Sequence, residues 1–445
     1  MNRVDISHSI LANLAKHIKE GNDKKRDKLI RGIIEECLPE KMNDPKAYRQ
    51  VERHLNYLLE TPQDTNPPLV EMLEEICPEC SPQSQPCSHV CPTGAITCEE
   101  SGLHKINHDL CVECGHCVNS CISGAIVARS EFAQVATMLL QSTTHPIYAI
   151  LAPSFVGQFG REVSPEIFKS ALRSLGFTEV YEVALAADIT TVYEAEEFVE
   201  RIHQGKKFMI TSCCCPAFIK FIEKLRPKVA NLVSPTISPM IAMGRMLKER
   251  DPNCRVVFIG PCIAKKNEAK RPDLQPAVDC VLTFKETKAL LEAAKIKLDG
   301  SLGRIEINDA SHDGRIFAHT GGVTEAIIRA VQRYDPNIIV KPVKGNGLKQ
   351  CGELLREIEE GKLEANFMEG MGCPGGCVGG PGTIIEVKEA AQLVKDFAQR
   401  SSRLESFENS AAMQWMESYY KPSRTTSEKI DLHIPEKYYP SEETM

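Results

Sequence analysis

The cysteines constrain this chain more than any other feature. There are 19 of them in 445 residues, and they are strongly clustered. Nine fall between Cys77 and Cys121, three stand side by side at Cys213, Cys214 and Cys215, and Cys373 and Cys377 form a close pair. A disulfide framework is a poor reading of them. Residues 1–25 are polar and helical in pattern and lack the apolar centre of a secretory signal, and thiols in a reducing compartment stay free. Groups of soft thiolates read instead as sites for iron–sulfur clusters or zinc.

Eight of the nine belong to a repeat. Cys87-Ser-His-Val-Cys91-Pro-Thr-Gly-Ala-Ile returns thirty positions later as Cys117-Val-Asn-Ser-Cys121-Ile-Ser-Gly-Ala-Ile. The second half has the spacing C-x2-C-x2-C-x3-C at Cys111, Cys114, Cys117 and Cys121, which is that of bacterial ferredoxins; there the fourth cysteine ligates the other cluster of a two-cluster module. The first half, Cys77, Cys80, Cys87 and Cys91, stretches the middle spacer. The segment resembles a duplicated ferredoxin. That resemblance implies one [4Fe-4S] cubane on Cys77, Cys80, Cys87 and Cys121 and another on Cys111, Cys114, Cys117 and Cys91. Three thiolates from one loop then cap three irons, and the distant fourth ties the halves together. A pair of zinc sites is the competing reading; the interleaved spacing and the repeated Gly-Ala-Ile speak against it. Cys98 stands outside the pattern and is expected to be an ordinary buried thiol.

The remaining sequence divides into further regions. Apolar residues recur at helical spacing at Ile10, Leu11, Leu14 and Ile18, again at Leu29, Ile30, Ile33 and Ile34, and at Leu55, Leu58 and Leu59. Residues 1–68 are therefore read as a helical N-terminal extension ending in a Pro-bearing linker at 61–68, and residues 69–130 as the ferredoxin-like domain. Residues 131–400 alternate short apolar strands, such as 147–151 and 256–259, with amphipathic helices, such as 216–225 and 323–331. Residues 401–445 form a helix and a polar tail packed on the body. The expected fold is an α/β catalytic body of mixed sheets flanked by helices, preceded by an α+β two-cluster ferredoxin-like domain and the helical extension. With 42% hydrophobic residues the chain has ample material for such a core. Its net charge of −7 and lack of a Lys/Arg block exclude a broad nucleic-acid footprint. The best apolar run, 146–152, is strand-sized, so no membrane insertion is expected and the cytoplasm is the expected location.

Three motifs in the body are widely separated: Thr211-Ser-Cys-Cys-Cys-Pro-Ala-Phe218, Gly260-Pro-Cys-Ile-Ala-Lys-Lys-Asn-Glu268 and Glu369-Gly-Met-Gly-Cys-Pro-Gly-Gly-Cys-Val-Gly-Gly-Pro-Gly382. Four thiolates from these loops, Cys215, Cys262, Cys373 and Cys377, suffice for a cubane. The glycines around Cys377 let backbone approach a cofactor closely. The motifs resemble the three signature loops of the iron-only hydrogenases, in that family's order, and the resemblance runs from about Cys77 to Gly382.

The resemblance implies an H-cluster: a [4Fe-4S] cubane bridged through Cys377 to a diiron subsite that carries carbon monoxide, cyanide and a bridging dithiolate. It places Lys265 against a cyanide ligand, where a buried cation offsets the anionic group. Hydrogen chemistry moves protons as well as electrons, and Cys214 falls at the family's proton-donating thiol, with Cys213 open to share that role. Glu194, Ser234 and Glu197 fall along the relay outward from it; the two glutamates, three apart, share a helix face. Glu268 either assists or pairs with a base. Ala152, Pro153, Ser154, Phe317 and Met371 fall where the family lines the diiron cavity.

Departures accompany the match. Gly260 stands where a methionine is usual, Met240 where a glutamine is usual and Phe218 where a tryptophan is usual, so the surroundings that tune the metal centre differ and the chain belongs with a divergent subgroup. The implied partners are a ferredoxin or flavodoxin-like electron carrier and the hydrogenase maturation proteins; no Gly-x-Gly-x-x-Gly opens a helix, so direct NAD use is not expected. Two alternatives remain beside the enzyme. A hydrogen sensor would use the same cofactor, and an iron–sulfur assembly homologue would keep the cubane cysteines but tend to lose the donor thiol and the lysine.

Overall fold

The computed structural model describes residues 3–20, 26–37, 49, 52–53, 55, 68–73, 77, 86–99, 103–121, 124–140, 145–211 and 214–419. Cys80, Cys213, Leu58, Leu59 and residues 420–445 lie outside them. The strands are β1 (Val70–Met72), β2 (Ile96–Cys98), β3 (His104–Ile106), β4 (Ile126–Ala128), β5 (Ile147–Leu151), β6 (Glu179–Glu182), β7 (Met209–Thr211), β8 (Arg255–Gly260), β9 (Cys280–Thr283), β10 (Pro342–Asn346) and β11 (Phe367–Met371).

The body rests on two sheets, each wholly parallel among the described residues: β6-β5-β8-β9 and β10-β11-β7. Parallel neighbours need crossover connections, and helices supply them. Such strands are covered on both faces, which is why β5 reads Ile-Tyr-Ala-Ile-Leu and β9 reads Cys-Val-Leu-Thr with little alternation. Local chemistry sets the helix bounds. Ser164 caps Pro165–Leu175 by accepting the Ile167 N–H, and Gly176 ends it at φ 120°. Thr283 and Glu286 form a capping box that starts Phe284–Ala293.

The largest apolar core surrounds the four-stranded sheet. It also takes in Ile10, Leu14, Leu29 and Ile33 from the helices Arg3–Lys19 and Arg26–Cys37, so the 3.6-residue period near the N-terminus marks a face buried against the body.

Residues 69–130 are built from much smaller pieces. Two antiparallel ladders, β1 with β4 and β2 with β3, join the five-residue helices Pro86–Val90 and His116–Ser120. The repeated Gly-Ala-Ile does the same work in both halves. Gly94 (φ 66°) and Gly124 (φ 84°) turn the chain after each short helix, Ala95 and Ala125 are buried, and Ile96 and Ile126 open a strand on its covered side. Cys98 corrects the expectation of a buried thiol: it is exposed. Among the described residues β2 pairs only with β3, and of its residues only Ile96 is covered.

Candidate active site

The carboxyl ends of both body sheets open on one cavity. Ala152 and Pro153 follow β5, Cys214 and Cys215 follow β7, Pro261 and Cys262 follow β8, and Gly372 and Cys373 follow β11; all of them line it, together with Cys377. Open α/β sheets bind their ligands at this end of the strands. Apart from the thiols and Lys265, the wall is largely apolar and includes Met240, Phe258, Phe317 and Met371.

Cys215, Cys262, Cys373 and Cys377 thus come together from three loops and act on one another electrostatically. Burial raises all four; neighbouring thiols add to it at Cys262, Cys373 and Cys377, while backbone hydrogen bonds oppose it at Cys215, and Cys262 and Cys377 are each pushed up to about 12. Four buried thiols are costly to ionise until a metal replaces their protons. Among the described residues no three His, Cys, Asp or Glu side chains converge as a single metal ion requires. Four thiols around one cavity are the donor set of an iron–sulfur cubane.

Lys265 lies on the short helix Lys265–Glu268, with its Nζ 2.6 Å from the Glu268 carboxylate. Burial pushes its pKa down, but Glu268 and the thiols of Cys262 and Cys214 outweigh that, so the net direction is upward and the ammonium is kept. Glu268 does not line the cavity; its place is behind the lysine. Ser154 is fully buried in the turn Pro153–Phe155, next to the wall, and its Oγ has no hydrogen-bond partner among the described residues.

Cys214 is on the wall. Its thiol is raised well above the ordinary value by burial, then by Cys377 and Cys215, so it holds its proton; Glu194 is among the groups acting on it. Glu194 and Glu197 sit one turn apart on Ala184–His203. Ser234 donates to Glu197 Oε2 at 2.6 Å. Glu194 takes a 2.6 Å hydrogen bond from Thr211, the last residue of β7. Sequence reasoning missed Thr211, although it opens the first cysteine motif. It also missed Arg201, which pairs with Glu197 at 2.6 Å and donates to the Leu232 and Val233 carbonyls; the (i, i+4) spacing was the available signal.

The departures have local explanations. A Cβ at Gly260 would lie 2.4 Å from Phe258 Cε1 and 3.1 Å from Ala152, so the Phe258 ring occupies the space a side chain at 260 would need. Phe218 packs as closely on Gly370, where a Cβ would lie 2.3 Å from its ring.

Two more thiol groups lie in residues 69–130. Cys91, Cys111, Cys114 and Cys117 line a second hollow and influence one another, and Cys77, Cys87 and Cys121 form a separate neighbourhood. Cys114 also acts on Cys262 and Cys373, so the second hollow adjoins the cavity of the body.

Residues 145–381 match the family model described as "Iron only hydrogenase large subunit, C-terminal domain". The chain is similar to Iron hydrogenase 1 of Clostridium pasteurianum, with 29% identity over 370 residues, which is 70% of this chain and 64% of that protein; it spans a little under two thirds of that relative's length. It is also similar to a probable cytosolic Fe-S cluster assembly factor of Drosophila persimilis, at 25% identity over 70% of this chain and 83% of that protein. A solved variant of an [FeFe]-hydrogenase from Chlamydomonas reinhardtii shares the fold, with a TM-score of 0.54 at 23% identity over 65% of this chain and 94% of that one.

Proposed function

The chain belongs to the iron-only hydrogenase family, and from that premise we propose that it is a ferredoxin hydrogenase, oxidising hydrogen to protons and reducing protons to hydrogen. The observation that carries this reading is the meeting of four thiols from three loops with Lys265 and Cys214 in one cavity. Cys215, Cys262, Cys373 and Cys377 would hold the [4Fe-4S] cubane of an H-cluster, and Cys377 would also hold its diiron subsite with carbon monoxide, cyanide and dithiolate ligands. When bound, that group supplies the iron at which the H–H bond is made or broken.

The chain's own residues do the remaining work. Lys265, kept charged by Glu268, offsets the anionic ligands. Burial keeps the Cys214 thiol protonated at Sγ, so it serves as a proton donor and acceptor rather than a metal ligand. Glu194, Ser234 and Glu197 carry protons between it and the surface, where Arg201 holds the outer carboxylate. Met240, Phe258, Phe317 and Met371, with Ala152, Pro153 and Ser154 beside them, exclude water. Cys77, Cys80, Cys87 and Cys121, and Cys91, Cys111, Cys114 and Cys117, would hold two further [4Fe-4S] clusters, which would supply one-electron transfer to and from a ferredoxin or flavodoxin-like partner. Maturation proteins install the diiron subsite, and the protein works in the cytoplasm. Among the described residues no helix is long and apolar enough to cross a membrane.

A second reading has a specific observation behind it: one relative is named as an Fe-S cluster assembly factor. Infrared spectroscopy of protein matured anaerobically separates the two. Sharp iron-bound carbonyl and cyanide bands that shift between argon and hydrogen are the expected result, and turnover rate then separates enzyme from sensor. A fully loaded cubane without such bands sinks the hydrogenase reading in favour of assembly.

A further inference from the structure

The cysteine-rich segment is tied to the body along a seam, and one side chain stands at its middle. Glu113 lies between Cys111 and Cys114 with φ 59°. Among the described residues the other non-glycine at positive φ is Lys295, which follows the C-cap Ala294 of the helix Phe284–Ala293, an ordinary place for the left-handed conformation. Glu113 ends no helix. A long side chain held left-handed inside a loop of candidate ligands is an outlier that asks for a reason.

The destination of its carboxylate supplies one. Oε2 accepts from Asn267 Nδ2 at 2.6 Å and pairs with Lys220 Nζ at 2.6 Å, and the side chain is 14% exposed. Both partners belong to elements that begin at candidate ligands of the body. Lys220 is on the helix Pro216–Leu225, whose N-cap is Cys215, and Asn267 is on the helix Lys265–Glu268, which closely follows Cys262. Lys224, one turn after Lys220 on the same face, donates to the His108 and Cys111 carbonyls at 2.6 and 2.9 Å. Beyond Glu113, Gly115 at φ 77° comes so close to the body that a Cβ would lie 2.7 Å from Ile263 Cδ1, beside Cys262, and 3.2 Å from Pro381 Cγ. Asn119 then donates to the Pro381 carbonyl at 2.9 Å, just past the Cys377 loop. The cysteine loop is thus bonded behind each of the three body loops that bring the four thiols together.

Resting on the assignment of these cysteines as [4Fe-4S] ligands, we propose that Glu113 is a positioning residue for electron transfer: its carboxylate, bonded at once to the helix behind Cys215 and the helix behind Cys262, fixes the separation of the nearer ferredoxin-type cluster from the cubane. One electron passes between the two, oxidising one as it reduces the other, and no proton or covalent bond moves. The competing reading is that the ion pair only fastens a loop. One substitution separates them. Glu113→Gly relieves the left-handed backbone while it cuts both ties, so backbone preference and positioning pull in opposite directions.

The test uses the full chain reconstituted with [4Fe-4S] clusters but without the diiron subsite, so that it does not depend on hydrogen turnover. Paramagnetic resonance of the reduced protein gives the dipolar coupling between the cubane and its neighbour, which reports their separation and not their potentials, and flash reduction gives the transfer rate. Glu113→Gly is expected to weaken the coupling and slow transfer about tenfold, with iron content and melting temperature no lower than the parent's, the scale on which small misplacements act. Glu113→Gln removes the charge but keeps an acceptor for Asn267; it retains the coupling and most of the rate. Coupling and rate unchanged in Glu113→Gly overturn the proposal. So does an equal slowing in both variants with the coupling intact, which assigns Glu113 an electrostatic role on the potential. Loss of the nearer cluster in Glu113→Gly also overturns it, in favour of a residue that only holds the loop together. Failure of the parent protein to bind [4Fe-4S] clusters overturns the cysteine assignment and the proposal with it.

Discussion

The molecule holds cysteine sites of two kinds, and they are made in opposite ways. In the body, Cys215, Cys262, Cys373 and Cys377 follow strands whose sheets bury large apolar cores of their own, so the fold stands and the thiols decorate its edge. In residues 69–130 the strands are three residues long and the short helices five. Their core is in part the thiols themselves, Cys77, Cys87 and Cys121 among Leu69, Val70, Ile96 and Ile126. Pieces this short do not hold themselves in water, so with the proposed clusters ligand binding and folding would be one event here. The same donor atom is chemical equipment in one region and structural material in the other.

Removing the iron is the harshest way to break that contrast. With chelated protein, limited proteolysis is expected to cut residues 77–121 on the order of a hundredfold faster than in the loaded protein, while residues 145–419 stay intact. Equal loss of protection in both regions would show that the body also needs its cluster to fold.

A smaller effect is expected at the joint between the regions. Lys266, 2% exposed, pairs with Glu286 at 2.7 Å, and Glu286 also accepts from Ser130 at the end of the cysteine-rich segment. Burial pushes the Glu286 carboxyl up, but Lys266, Ser130 and the Thr283 N–H together leave it below the ordinary range. A depressed carboxyl contributes stability above its unfolded pKa and loses it as pH falls through the folded value. Lys266→Met strands the carboxylate and should cost about 3–5 kcal/mol in denaturant unfolding near neutral pH. The gap to the parent should close as pH drops below about 4.5, the ordinary glutamate range. A gap that stays constant with pH would show that the loss is one of packing alone.

How much of this was legible in the sequence depended on how local the cause was. The strand at 147–151 and the helix at 216–225 are present with those bounds, because an unbroken apolar run and a proline at the first helical position act within a few residues. The Gly-Ala-Ile repeat was legible because those residues meet the same backbone and burial demand twice. The exposure of Cys98 was not, since it depends on β2 having one neighbour and little covering it. Nor was the Thr211–Glu194 bond, which spans 17 residues and needs β7 laid beside the long helix. Three-loop convergence became legible only through resemblance, because no local rule says which strand ends share a cavity.

The smallest effect concerns the seam itself. Gly115 has φ 77° and ψ 3°, a left-handed conformation that costs an L-residue roughly 1–2 kcal/mol. Gly115→Ala adds that strain, and its Cβ also meets Ile263, whose flexible end gives way, and the stiffer Pro381 ring. With clusters bound, the thiolate bonds hold the loop and the sheets are untouched, so global unfolding should barely move. Local opening should become easier by about 1–2 kcal/mol. Hydrogen exchange reads this directly at the amides of Val118 and Cys121, which donate to Gly115 and Cys117. Faster exchange confined to residues 111–121 means that the regions open independently even where they touch. Loss of protection that spreads into β8 and β9 would mean that the seam makes them one cooperative unit, and the contrast between a self-supporting body and a cluster-supported segment would fail there.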